Sequence, residues 1–129
     1  MKTEIRNFRI SASEPVMTSC PWDKRDHNRY TVSVTNKDNG KRTRFYYYTS
    51  IASPEIESES ELKEAFDCFL SDCDCGAMDF RDFCGEFGYD EDSRKAFKTW
   101  RACVRSVANF KRIGGDLDEI GDIRDEINA

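Results

Sequence analysis

Arg29-Tyr30-Thr31-Val32-Ser33-Val34-Thr35-Asn36 alternates cleanly, with Tyr30, Val32 and Val34 on one side and Thr31, Ser33 and Thr35 on the other. A period of two is that of a strand with one face buried, because successive side chains leave a pleated chain on opposite faces. Lys37-Asp38-Asn39-Gly40-Lys41 follows, and its Asn-Gly supplies the positive φ of a tight turn. Arg42 to Thr49 returns as a second strand carrying Phe45, Tyr46, Tyr47 and Tyr48. These residues predict a hairpin over 29–49.

Upstream, Ile5, Phe8 and Ile10 predict one strand within residues 3–12, and residues 13–28, with Pro15 and Pro21, read as a loop. Downstream the period changes. Ser53-Pro54-Glu55 offers a helix start, and Ser58 with Glu61 offers a capping box one turn later. Leu62, Ala65, Phe66, Phe69 and Leu70 then share one helical face. Gly76 predicts a break at 74–77. A short helix with Phe80, Phe83, Cys84 and Phe87 inward ends near Gly88. Asp90 or Asp92 is expected to cap the next helix, whose inward stripe is Ala96, Trp100, Cys103, Val104, Val107 and Phe110. Gly114-Gly115 stops it. Leu117, Ile120, Ile123 and Ile127 space a last helix, weakened by about 1 kcal/mol at Gly121.

Strands first and helices after them read as α+β. The expected architecture is a small antiparallel sheet, an N-terminal strand plus the 29–49 hairpin, packed by three to four C-terminal helices. A length of 129 residues suits a single domain over 1–129, strand-rich over 1–52 and helical over 53–129.

Six cysteines stand at 20, 68, 73, 75, 84 and 103. The first ten residues lack the apolar stretch of a secretory signal, so the thiols are expected to be free in a reducing compartment. Cys68, Cys73, Cys75 and Cys84 do not reproduce the paired knuckles of a zinc site, and no metal or cofactor is expected, although the spacing alone does not settle whether these four bind metal. Cys73 and Cys75 are the pair for redox chemistry, yet no neighbouring base in the sequence would hold a thiolate. No apolar run approaches the ~18 residues of a membrane span.

Charge is the most informative feature. The total is −5, but residues 1–49 carry net +5, residues 55–92 net −12, residues 93–112 net +7 and residues 116–129 net −5. Blocks of this kind either neutralise one another within the fold or face a partner. The acidic candidates for a partner surface are Glu55, Glu57, Glu59, Glu61, Glu64, Asp72, Asp74, Asp90, Glu91 and Asp92. Such carboxylates can occupy a groove built for phosphates. The basic alternative uses Lys41, Arg42 and Arg44 beside the tyrosine-rich strand, together with the 94–112 helix, because bases stack on aromatics flanked by cations. The acidic total disfavours direct nucleic-acid binding. Catalytic motifs are absent, and His27 lies alone in a polar stretch, so a non-enzyme is expected with no catalytic residues assigned.

Asp79-Phe80-Arg81-Asp82-Phe83-Cys84-Gly85-Glu86-Phe87-Gly88-Tyr89-Asp90-Glu91-Asp92-Ser93-Arg94-Lys95-Ala96 resembles a segment of a family of small, uncharacterised bacteriophage proteins. The Tyr30 to Tyr48 hairpin resembles their upstream part. The resemblance implies a phage origin and the host bacterial cytoplasm, and assigns no residue a role. Small acidic phage proteins without enzyme motifs resemble the anti-CRISPR class. The expectation is therefore an anti-defence inhibitor that binds a host protein or ribonucleoprotein, a CRISPR surveillance complex, and obstructs its nucleic-acid path. The alternatives are a small nucleic-acid-binding regulator and a structural adaptor.

Overall fold

A computed structural model describes residues 1–21, 24–50 and 56–129. The fold is α+β: the described residues form a five-stranded antiparallel sheet followed by four helices. The chain divides into two compact units, residues 1–66 and 67–129.

The first unit is built on β1 (Lys2–Ile5), β2 (Phe8–Ala12), β3 (Val16–Ser19), β4 (Asp26–Asn36) and β5 (Arg42–Ser50). The expected N-terminal strand is thus two strands. Ile5 pairs with Phe8 across a turn in which Arg6 takes φ 52°. Asn7 ties that turn to β4, donating from Nδ2 to Asn36 Oδ1 at 3.1 Å and accepting from Lys37 N at 2.8 Å. The expected loop over 13–28 also contains a strand. β3 runs beside the first residues of β4 (Val16 with Arg29, Ser19 with Asp26), while β2 pairs with the last ones. Between them Ser13 N donates to Thr31 O, and Thr31 N to Ser13 Oγ. The 29–49 hairpin forms as expected, with Gly40 at φ 72°.

One sheet face is apolar. Ile5, Phe8, Ile10, Tyr30, Val32 and Val34 are buried there, with Leu62, Ala65 and Phe66 from helix α1 (Glu59–Ala77). Phe8 and Phe66 meet with ring centroids 5.8 Å apart. α1 opens on the Ser58–Glu61 capping box, where Glu61 N donates to Ser58 Oγ at 3.2 Å and Ser58 Oγ to Glu61 Oε1 at 3.3 Å. The alternative start at Ser53-Pro54-Glu55 lies outside the described residues.

In the second unit the rest of α1 is joined by α2 (Phe80–Phe87), α3 (Arg94–Arg112), a 3-10 turn at Leu117–Glu119 and α4 (Ile120–Ile127). The expected break at Gly76 does not occur. A Cβ there would overlap the Cys103 carbonyl and lie 2.8 Å from Val104 N, so Gly76 lets α3 approach the α1 backbone. Asp79 caps α2, and Gly88 ends it at φ 72°. Neither Asp90 nor Asp92 caps α3. Ser93 does, its hydroxyl accepting from Ala96 N at 3.1 Å. Phe69, Leu70, Cys103, Phe110, Ile120 and Ile123 are buried, whereas Phe87, expected inward, is 49% exposed.

Candidate nucleic-acid interface

Burying Tyr30, Val32 and Val34 turns every other β4 residue outward, and the register carries that parity across the sheet. Arg9, Thr35 and Arg42 stand in one cross-strand row, Ser11, Ser33 and Arg44 in the next, then Thr31 with Tyr46, then Arg29 with Tyr48. Adjacent rows are about 6.7 Å apart and adjacent strands about 4.8 Å. This outer face is therefore cationic and hydroxyl-rich, with a tyrosine at its middle. Arg9, Arg42 and Arg44 are exposed, and Tyr46 is 58% exposed. The Arg29 guanidinium lies 4.4 Å from the Tyr46 ring centroid, a cation–π contact. Its Nε is buried without a hydrogen-bond acceptor. Glu4 shares the face but is neutralised, accepting from Lys37 Nζ at 3.0 Å and Arg9 Nε at 3.3 Å. Lys37, then Arg9, holds its carboxyl below the usual carboxylate range.

A second cationic surface lies on α3. Arg94, Lys98, Arg101 and Arg105 recur every three or four residues, Arg112 follows two turns later, and all are exposed, so they form one stripe along the helix. Phe97 is 43% exposed beside it, with the Arg101 guanidinium 5.8 Å from its ring centroid.

The acidic candidates differ in what surrounds them. Glu55 lies outside the described residues. Glu61 belongs to the capping box. Asp90 builds a turn, accepting from Asp92 N at 3.0 Å. Arg124 on α4 donates to Asp67 at 2.9 Å and to Asp74 at 3.2 Å, and Glu91 lies 3.7 Å from Arg81. Glu91 and Asp92 also share a recess with Arg94 and Lys98, and Glu59 shares one with Lys2, Arg9 and Lys63. Glu61 and Glu64 border a recess at the Tyr48 end of β5. Glu57, Glu64 and Asp72 are exposed. Part of the block's charge is thus spent locally on caps, turns and ion pairs.

The six cysteines form no disulfide, and among the described residues no three His, Cys, Asp or Glu side chains are grouped to hold a metal ion. Burial first, then the charges of Asp72 and Asp74 and the neighbouring Cys103, pushes the Cys73 thiol up to about 12. Burial and then Asp72 and Cys75 do the same for Cys103, also to about 12. Burial likewise raises Cys75, so neither Cys73 nor Cys75 is a poised thiolate. The sign of the stability effect follows. An unfolded thiol ionises from an ordinary 9.0, whereas the folded Cys73 and Cys103 keep their protons to about 12. Folding is therefore increasingly disfavoured as pH rises through that window, with the contribution intact below it. The urea midpoint should fall between neutral pH and about pH 10.5, and Cys73→Ala/Cys103→Ala should flatten that fall. A drop of the same size in the double variant would contradict the assignment.

No helix among the described residues is long and apolar enough to cross a membrane. Comparison with family models, with curated proteins and with solved structures finds no match.

Proposed function

We propose that the protein binds nucleic acid through the outer face of its sheet. The observation that carries this reading is the placement of Arg9, Arg29, Arg42 and Arg44 on the sheet face that presents Tyr46. Arginines there supply the phosphate-neutralising charge that dominates affinity, and the ring supplies a surface on which a base can stack. The total charge of −5 does not oppose this, because a polyanion responds to the local field within a Debye length, about 8–10 Å.

A second reading is favoured by the exposed carboxylates Glu57, Glu59, Glu64 and Asp72. In it the protein is a non-catalytic phage anti-defence inhibitor of the anti-CRISPR class. It would act in the host bacterial cytoplasm and occupy the nucleic-acid path of a surveillance complex. One experiment separates the readings. In a gel shift at about 50 and 200 mM salt, the first requires a retarded nucleic-acid band that weakens as salt rises. Absence of retardation at the lower salt, with recovery of a CRISPR effector on the tagged protein, would establish the second.

A further inference from the structure

The sheet face also carries information about which form of nucleic acid it suits. Duplex readers insert an element into a groove, and the major groove, about 12 Å wide, admits a helix or a two-stranded ribbon that stands proud of its domain. The outer face offers neither. It is a set of paired strands whose outward side chains stand in register rows, and Tyr46 sits within those rows. A paired base keeps its faces inside the duplex stack and cannot reach that ring. An unpaired base can.

The surroundings of Tyr46 point the same way. One side of the ring is engaged by Arg29 at 4.4 Å, yet the residue remains 58% exposed, so the ring is held while much of its surface stays open. A restrained ring loses less freedom when a base stacks on it. Arg44 and Arg42 follow on the same strand and face, about 6.7 and 13 Å further along. Arg29 stands in the Tyr48 row of the same face, so cations flank Tyr46 along β5 in both directions.

We infer that the face takes a single-stranded nucleic acid, with an unpaired base stacked on Tyr46 and the adjoining phosphates on Arg44 and Arg42. This rests on the sheet-face reading of function and goes beyond it by naming the strandedness and the stacking residue. Only non-covalent contacts are involved.

The test is fluorescence anisotropy with a short labelled oligothymidylate and a blunt duplex of the same length, at about 50 mM salt. The single strand should bind at least about tenfold more tightly. Tyr46→Ala should weaken it roughly 10- to 100-fold, and Tyr46→Phe should keep most of the affinity because the ring, not the hydroxyl, does the stacking. Thermal melts of both variants show whether the fold is retained. Equal affinity for duplex and single strand overturns the inference while leaving the sheet-face reading standing, provided Arg42→Glu/Arg44→Glu still abolishes binding. A single-strand preference that survives Tyr46→Ala overturns the assignment of Tyr46. Binding of neither probe overturns the inference together with the reading beneath it.

Discussion

Gly76→Ala is expected to destabilise the helical unit by about 3 kcal/mol, although the substitution sits inside a helix where it ordinarily helps. Intrinsic propensity favours alanine over glycine there by about 1 kcal/mol. Against that gain, the added Cβ overlaps the Cys103 carbonyl and lies 2.8 Å from Val104 N. Those are backbone atoms of α3, which cannot rotate away as a side-chain tip can. Relief requires α1 and α3 to separate, which loosens the packing around Cys73, Cys103 and Phe110, all buried. Overpacking of this kind costs about 1–3 kcal/mol and sometimes more, so the clash wins. Gly121→Ala is the matched comparison. A Cβ at Gly121 in α4 meets nothing within 4 Å, so propensity acts alone and the variant should gain about 0.5–1 kcal/mol. Chemical denaturation of the two variants should therefore give midpoints on opposite sides of the parent. A shift in the same direction would show that close approach at Gly76 does not decide the packing.

Arg42→Glu/Arg44→Glu is expected to weaken nucleic-acid binding at least about 100-fold at low salt. Each exposed arginine near a phosphate is worth about 1 kcal/mol at 4 Å in water. Reversing its sign swings that by about 2, and two sites give roughly 4 kcal/mol before screening. Both side chains are exposed on β5, so the fold should tolerate the change, and an unaltered melt would confirm it. The matching test of the acidic reading is less clean. Reversing Asp74 removes an acceptor that Arg124 uses at 3.2 Å, so lost capture by an Asp74 variant would mix structure with recognition. Glu57 and Glu64 are the better positions.

The hairpin could be read directly because its alternation and its Asn39-Gly40 turn agree, and both are local. The β1–β2 turn could not. Its centre is Arg6-Asn7, and a φ of 52° at an arginine leaves no glycine signal; Asn36 and Lys37, far along the chain, hold it. β3 was hidden for a related reason. It pairs with Asp26, His27 and Asn28, residues with little strand preference of their own, so the pairing comes from tertiary context. Gly76 reads as a breaker by propensity, and its role in admitting α3 appears only when the two helices meet. Asp90 and Asp92 outnumber Ser93 as capping candidates, but Asp90 is engaged in its own turn.

The candidate face was half legible. Arg42, Arg44 and Tyr46 recur at every second residue, which places them on one side of any strand. Arg9 and Arg29 could join them only through the register of three strands. The acidic block shows the opposite limit. Counted along the chain it carries −12 over residues 55–92, but Arg124, which engages Asp67 and Asp74, lies outside that window. A linear charge count cannot see such neutralisation.

The most direct test of the central claim is the salt dependence of oligothymidylate affinity for the parent protein and for Arg44→Gln. Log K should fall linearly with log salt, with a slope of about 1.4 for the two phosphates on Arg42 and Arg44 and up to about 2.8 if all four face arginines engage one. Arg44→Gln should be shallower by about 0.7, the share of one phosphate contact on a single strand. No binding at about 50 mM salt, or a slope unchanged by Arg44→Gln, would contradict it.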